Sequence, residues 1–394
     1  MRVLHVQYTN PGAYPPLVRG AALLADAGAE VLMLGTRVAG LDALDAAPVE
    51  GVDIRLVPAA ADGWRLKAHY ARYAAWVARE GAAWKPDWIY ASDLLGAPIA
   101  LALRTLTGAR IVYHEHDAPS LDHPSWTVRQ CLAARRRLIQ QADLIVTPNA
   151  ERSAALARLG GRHVITAWNC PRRPRGATPA RREGRALRVV YRGSINGERV
   201  PVTVVDAVAA AGTDVTMTIA GYETVGSRGY VAEIEARARV LGIADRLRVL
   251  GTVPDSGLQA ICEESHVGLA LMPVESLDEN MRNMTGASNK VFEYWSSGVV
   301  PLVSDLHDWR ETFVDPGYAL ACDPRQAESI AQVLSWAGDR RDDLLAMATR
   351  AWVRLQTDWN YETQFAPVMD AMLGRAMRTP STAAAVPTEA ACVS

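Results

Sequence analysis

Short apolar runs alternate along this chain with longer segments of helical period, and the order of the two kinds of segment predicts its architecture. Residues 2–7 form a β-rich run followed by a loop dense in turn formers at 8–16. Residues 17–27 carry apolar side chains at helical spacing, and 30–35 read as the next strand. Such a strand, helix and strand close as a parallel pair, with ligands received at the carboxyl ends of the strands. The order repeats with strands at 52–58, 88–90 and 110–113, helices at 65–81, 97–108 and 126–141, and strand-like segments at 142–149 and 164–169. Residues 170–185 break the period with proline, arginine and small residues, as a linker does. A second round follows: strands at 187–191, 215–220, 266–271, 299–303 and 318–321, helices at 202–211, 231–241 and 324–337, and a largely helical end over 342–376. The expected division is a first domain at 1–169, a linker at 170–186, a second domain at 187–341, cross-over helices at 342–376 and a disordered tail at 377–394, where residues are mostly small and polar.

Composition narrows the class. A chain of 394 residues is long enough for two domains with separate cores, and 49% hydrophobic with 22% charged residues is ordinary for a globular enzyme. The net charge of −1 gives no overall attraction to nucleic acid or to an anionic membrane, so only local patches could serve there. No apolar run reaches the roughly 18 residues of a membrane span, and Met1-Arg2-Val3-Leu4-His5-Val6 leads straight into a strand, so a cytoplasmic location is expected. The five cysteines (Cys131, Cys170, Cys262, Cys322, Cys392) are scattered without a Cys-x-x-Cys pair, which predicts reduced thiols and no zinc site.

Candidate chemistry concentrates at 288–303, where a loop, a short helix with Lys290 and Glu293 on one face, Gly298 and a buried strand follow one another. A helix start is electropositive, and a lysine there suits a phosphate, while Glu293 could accept hydrogen bonds from sugar hydroxyls. The bland alternative is a first-turn acid that stabilises the helix by about 0.3–1 kcal/mol without a ligand, beside a solvated lysine. Residues 192–199, a glycine-bearing loop before a helix, offer backbone amides to a diphosphate and an arginine to grip it. At the end of the strand 110–113, His114-Glu115-His116-Asp117 admits three readings: half of a metal site, a sugar-binding cleft, or a structural cluster. The remaining histidines give no complementary metal spacing, and the cleft is favoured. The aromatic-rich helix with Trp64, Tyr70, Tyr73 and Trp76 reads as core or surface seam, with acceptor binding as the alternative. The basic helix 126–141, with Arg129, Arg135, Arg136 and Arg137, is either a solvated face or a peripheral membrane contact.

The stretch Asn-Lys-Val-Phe-Glu-Tyr-Trp-Ser-Ser-Gly-Val-Val-Pro-Leu-Val at 289–303 resembles the donor-site signature of the GT-B glycosyltransferases, in particular the retaining family 4. Segments 142–148, 164–169, 245–253 and 266–273 resemble further motifs of that family. The resemblance implies two Rossmann-like domains facing across a cleft, with a C-terminal helix returning to the first. It implies a hexosyltransferase-type enzyme, of the kind that serves polysaccharide biosynthesis, moving a sugar from a nucleoside diphosphate sugar to a hydroxyl acceptor (glycan, glycolipid or small molecule) with retention. Lys290 and Arg199 would neutralise the diphosphate, with Asn289 at the helix start. Glu293 would bind the ribose, and Gly193, Ser194, Gly221, Tyr222, Thr285 and Gly286 would line the donor site. Val253 and Pro254 would meet the base. His114 and Asp117 would orient the acceptor, with Gly12 and His116 on the acceptor side. The sequence departs from the family at Thr285, where a second glutamate is common, at Ser194, where an arginine is, at Ser288 and in the placing of Pro301. No cofactor, no nucleic-acid partner and, for want of an Asp-x-Asp pair, no divalent metal are expected; the nucleoside diphosphate sugar is a co-substrate. An epimerase or hydrolase on the same fold, or a catalytically silent nucleotide-sugar binder, remain as alternatives.

Overall fold

Two parallel sheets carry the chain, and both are wound in the same way. The computed structural model describes residues 1–37, 48–58, 64–119, 125–282 and 284–376; the tail at 377–394 and Asn283 lie outside the described residues. The first sheet contains β1 (Arg2–Val6), β2 (Glu30–Thr36), β3 (Val52–Val57), β4 (Trp88–Ser92), β5 (Arg110–His114), β6 (Leu144–Thr147) and β7 (Val164–Thr166). Their order is β3-β2-β1-β4-β5-β6-β7. Helices α1 (Pro15–Asp26), α2 (Trp64–Trp84), α3 (Asp93–Thr107), α4 (Trp126–Gln141) and α5 (Ala150–Arg158) connect them. Central strands such as β4 are buried along their whole length, which is why they read as unbroken apolar runs.

The second sheet contains β8 (Leu187–Ile195), β9 (Val215–Glu223), β10 (Leu247–Val249), β11 (Val267–Ala270), β12 (Val300–Ser304) and β13 (Leu320–Cys322), in the order β10-β9-β8-β11-β12-β13. With them run α6 (Thr203–Ala210), α7 (Tyr230–Val240), α8 (Asp255–Glu264), α9 (Glu279–Arg282), α10 (Asn289–Ser296), α11 (His307–Trp309), α12 (Ala327–Asp339), α13 (Arg341–Thr357) and α14 (Tyr361–Met372). Strand order reverses between β1 and β4 in one sheet and between β8 and β11 in the other, so each presents a crevice at its carboxyl edge.

The structure corrects several boundaries. Residues 192–195 belong to strand and not to loop, because β8 stays paired with β9 through Gly193↔Gly221 and Ser194↔Tyr222. Helix α3 starts at Asp93, directly after β4, and runs through Pro98 at the loss of one i−4 hydrogen bond. Helices α5 and α8 were not legible as helices. On α2, the Tyr73 hydroxyl donates to Leu34 O (2.8 Å) and that of Tyr70 to Leu95 O (2.9 Å), so both serve the packing of the first domain.

The chain passes between the sheets twice, and the two crossings touch: Tyr361 N donates to Pro171 O at 2.7 Å. Helix α13 packs on α10, whereas α14 lies on the first sheet, with Tyr361, Phe365, Val368 and Met372 in its core. Behind α10, Trp168, Phe292, Trp295, Phe313, Tyr318 and Trp359 form one aromatic cluster, in which Trp295 and Trp359 stack with centroids 4.8 Å apart.

Candidate functional site

A cleft of about 660 Å³ opens between the carboxyl edges of the two sheets. Its second-domain wall begins at α10. Ser288 precedes that helix without capping it, and among the described residues the buried Ser288 hydroxyl and Asn289 Oδ1 have no hydrogen-bond partner. The first amides of the helix therefore face the cleft without a side-chain cap, together with the dipole's positive end. Lys290 projects into the same space beside Gly193, a residue at φ +117° where a Cβ would stand 3.1 Å from Lys290 Cε. Among the described residues Lys290 forms no ion pair, and its amine lies 5.7 Å from the Tyr191 ring centroid. Burial, with Arg199 and Arg192 adding repulsion, lowers its pKa to about 7. An anion placed there would restore the charge.

Glu293 lies one turn deeper and is gripped from two sides. Arg192 Nη1 reaches Oε2 at 2.9 Å, and Arg19 Nη2, from α1 of the other domain, reaches Oε1 at 2.9 Å. Burial alone would raise the carboxyl's pKa, but Arg192, Arg19 and Lys290 outweigh it and hold the group ionised. Beyond Gly193 the wall continues with Gly221, Tyr222, Thr252 and Val253. Gly221 permits no side chain, because a Cβ would stand 1.8 Å from Gly193 O.

The first-domain wall is formed by Gly12, Tyr14, Val18, Arg19, His116 and Asp117. Tyr14 packs on His116 with centroids 5.3 Å apart. Asp93, held at φ +56°, accepts the amides of His116 (2.7 Å) and Asp117 (3.3 Å) and so fixes the turn that presents them. Burial, reinforced by the nearby Asp117, raises its pKa to about 8. Opposite, Asn280 forms two hydrogen bonds with the backbone of Ala118, at 2.7 and 2.9 Å, tying α9 to the same turn.

The structure thus brings Lys290, Asn289, Glu293, Gly193, Ser194, Gly221, Tyr222, Val253, Gly12, His116 and Asp117 around one space. It places five others outside the lining. His114 is fully buried below the cleft, where its Nδ1 meets the Tyr90 hydroxyl at 2.7 Å and its ring packs on His116 at 3.7 Å. Arg199 turns toward the Met272 thioether, and Pro254 is exposed beyond Val253. The Thr285 hydroxyl donates to Asp308 and is not part of the cleft lining. Gly286 packs against Trp168, and its carbonyl accepts from Asn169 N at 2.7 Å. Glu115 is internal as well, paired with Arg135. Among the described residues no group of three or more His, Cys, Asp or Glu is arranged to hold a metal ion.

Sequence reasoning missed Arg19 and Asp93, and it gave Tyr14 no role of its own within the turn-rich loop expected to face the cleft. Arg19 was an ordinary polar residue on an amphipathic helix, and the one local sign at Asp93 was its place directly after a buried strand.

Residues 17–168 match the family described as glycosyl transferase 4-like domain. A comparison with curated proteins finds no match. Among solved structures, the chain is similar to HepE of Anabaena in complex with UDP and glucose, at 16% identity, 95% coverage of this chain, 100% of that one and TM-score 0.71. It is similar to sucrose-phosphate synthase of Thermosynechococcus elongatus (13% identity, 92% and 96% coverage, TM-score 0.65). It is similar as well to WaaG, a glycosyltransferase involved in lipopolysaccharide biosynthesis (14%, 95% and 100%, TM-score 0.66). At these identities the structures establish a shared fold, the GT-B architecture, and within it residues 17–168 match a glycosyl transferase 4-like domain.

Proposed function

We propose that this enzyme transfers a sugar from a nucleoside diphosphate sugar to a hydroxyl acceptor with retention at the anomeric carbon. The observation that carries the reading is Lys290: a half-buried amine that forms no ion pair among the described residues, at an uncapped helix start, facing a glycine strand end inside the cleft. Transfer of this kind develops negative charge on the leaving diphosphate, and fixed cations and amides aimed at it are the main source of catalysis. Lys290 and the first amides of α10 take that role, with Arg199 reaching in by a change of rotamer. Glu293 accepts the ribose hydroxyls, and the base lies against Tyr222, Thr252 and Val253. The acceptor enters along Tyr14, His116 and Asp117, and its proton passes to the departing phosphate oxygen. The co-substrate brings the only chemistry required, so the reaction runs without a cofactor, and no nucleic acid takes part.

Because HepE holds UDP and glucose, UDP-sugars head the panel of nucleotide-sugars to be screened by thermal shift, which reports affinity for the folded state. Stabilisation by one donor, followed by transfer giving a product of unchanged anomeric configuration by NMR, is the expected result. An inverted product removes retention, and full-rate consumption of donor without acceptor replaces transfer by hydrolysis or epimerisation.

We infer further that the acceptor is met at a membrane surface. Helix α4 contains no acidic residue, Arg129, Arg136 and Arg137 are exposed on it, and Trp126 at its start is 73% exposed. A basic face with an exposed tryptophan suits the interface of an anionic bilayer. Among the described residues no helix is long and apolar enough to cross a membrane, so the contact is peripheral.

A further inference from the structure

Among the described residues Arg19 has two hydrogen-bonding partners, and both lie beyond its own domain's core. Nη2 pairs with Glu293 Oε1 at 2.9 Å, and Nη1 donates to the Cys170 carbonyl, on the linker, at 2.9 Å. The pair is secluded, with side chains 17% and 12% exposed. Arg192, from the second domain, holds the other oxygen of the same carboxylate.

We propose that Arg19 is a positioning residue for the donor: it aims the Glu293 carboxylate from the opposite domain, so that the group recognising the ribose is complete only when the two domains are closed. This rests on the reading of Glu293 given above. A carboxylate held by one guanidinium can turn about its side-chain bonds, whereas two guanidinium groups on its two oxygens fix its plane. Each oxygen still has a lone pair for a ribose hydroxyl. Opening the cleft withdraws Arg19 and leaves Glu293 less compensated, so closure and donor binding favour one another by the same factor. The Asn280–Ala118 contact also spans the cleft but touches neither Glu293 nor Arg192, and it supplies the comparison.

The test is calorimetry on the full chain with UDP, GDP, ADP and dTDP, carrying the tightest of them through Arg19→Ala, Arg19→Lys, Glu293→Ala, Asn280→Ala and the double variant at Arg19 and Glu293. Arg19→Ala is expected to weaken binding at least about tenfold and Arg19→Lys to recover part of the loss. In the Glu293→Ala background, Arg19→Ala should add less than about twofold, since contacting residues are not additive. Should Arg19→Ala fail to fold, Arg19→Gln replaces it in the cycle. Unchanged affinity in Arg19→Ala, full additivity, or an equal loss in Asn280→Ala overturns the proposal and leaves the donor site standing. Unchanged affinity in Glu293→Ala overturns the ribose reading and this inference with it, as does a wild type that binds none of the nucleotides.

Discussion

Lys290 lies against the Cα of Gly193, close enough that a methyl group there would meet its Cε at 3.1 Å. The amine is therefore lodged between a strand end and a helix start, with its pKa lowered to about 7 chiefly by burial. Below that pH it is a cation, and above it the amine is neutral and its attraction for a diphosphate is lost. Nucleotide-sugar affinity should accordingly fall as pH rises above about 7, by up to tenfold per unit. Lys290→Arg should flatten the profile, because a guanidinium stays charged. Calorimetry from pH 6 to 9 checks both, and a flat wild-type profile removes Lys290 from the diphosphate site.

Loss of the charged groups should show in turnover. Lys290→Ala and Glu293→Ala are each expected to lower transfer at least about tenfold, or roughly 1.4 kcal/mol of transition-state stabilisation. Initial rates with the identified donor measure this, and wild-type rates in both variants would discard the site.

A methyl group at Gly221 would collide with the Gly193 carbonyl at 1.8 Å, and the obstacle is backbone. Gly221→Ala must spread β8 from β9, so thermal unfolding should show a loss of about 1–3 kcal/mol together with weakened nucleotide binding. Gly338→Ala, in α12 with nothing within 4 Å, serves as the control and should be neutral or stabilising.

Trp295 is fully buried, stacks on Trp359 and meets Phe292 and Phe313 edge-on. Trp295→Ala is expected to cost about 3–5 kcal/mol in chemical denaturation. A loss below about 1 kcal/mol would mean that the cluster behind α10 is not a load-carrying core.

The arginines of α4 should divide into two kinds. Replacing Arg129, Arg136 and Arg137 by glutamate should abolish flotation with anionic liposomes while leaving the melting temperature nearly unchanged. Arg135→Ala should do the reverse, since it strands Glu115, which is 2% exposed, and breaking such a buried pair costs about 3–5 kcal/mol. Flotation that is independent of anionic lipid, or missing in the wild type, ends the membrane inference.

The alternation of strand and helix was legible because strands buried on both faces are written as apolar runs, and Lys290 and Glu293 were legible because three residues of helix fix their common face. Long-range placements were not. Nothing near Arg19 announces a partner 274 residues away, and nothing near Asn280 points to Ala118. His114 and His116 share a strand-end spacing, yet one packs under the sheet edge and the other lines the cleft. Residues 192–195 looked like loop because of their glycine, when the glycine is what lets two strands continue side by side. Thr285 was located by alignment with a family motif, and a local contact with Asp308 turned it elsewhere.

Helix α14 follows the second domain in sequence but completes the core of the first, with Phe365 over Gly20 and Trp88 donating to Met372 O at 3.2 Å. Neither half of the polypeptide is thus a self-sufficient cutting: expressed alone, residues 1–169 would show water the apolar groove that Tyr361, Phe365, Val368 and Met372 cover. A chimaera that exchanges first domains between relatives has to carry helix α14 along with residues 1–169, as two pieces of sequence moved together.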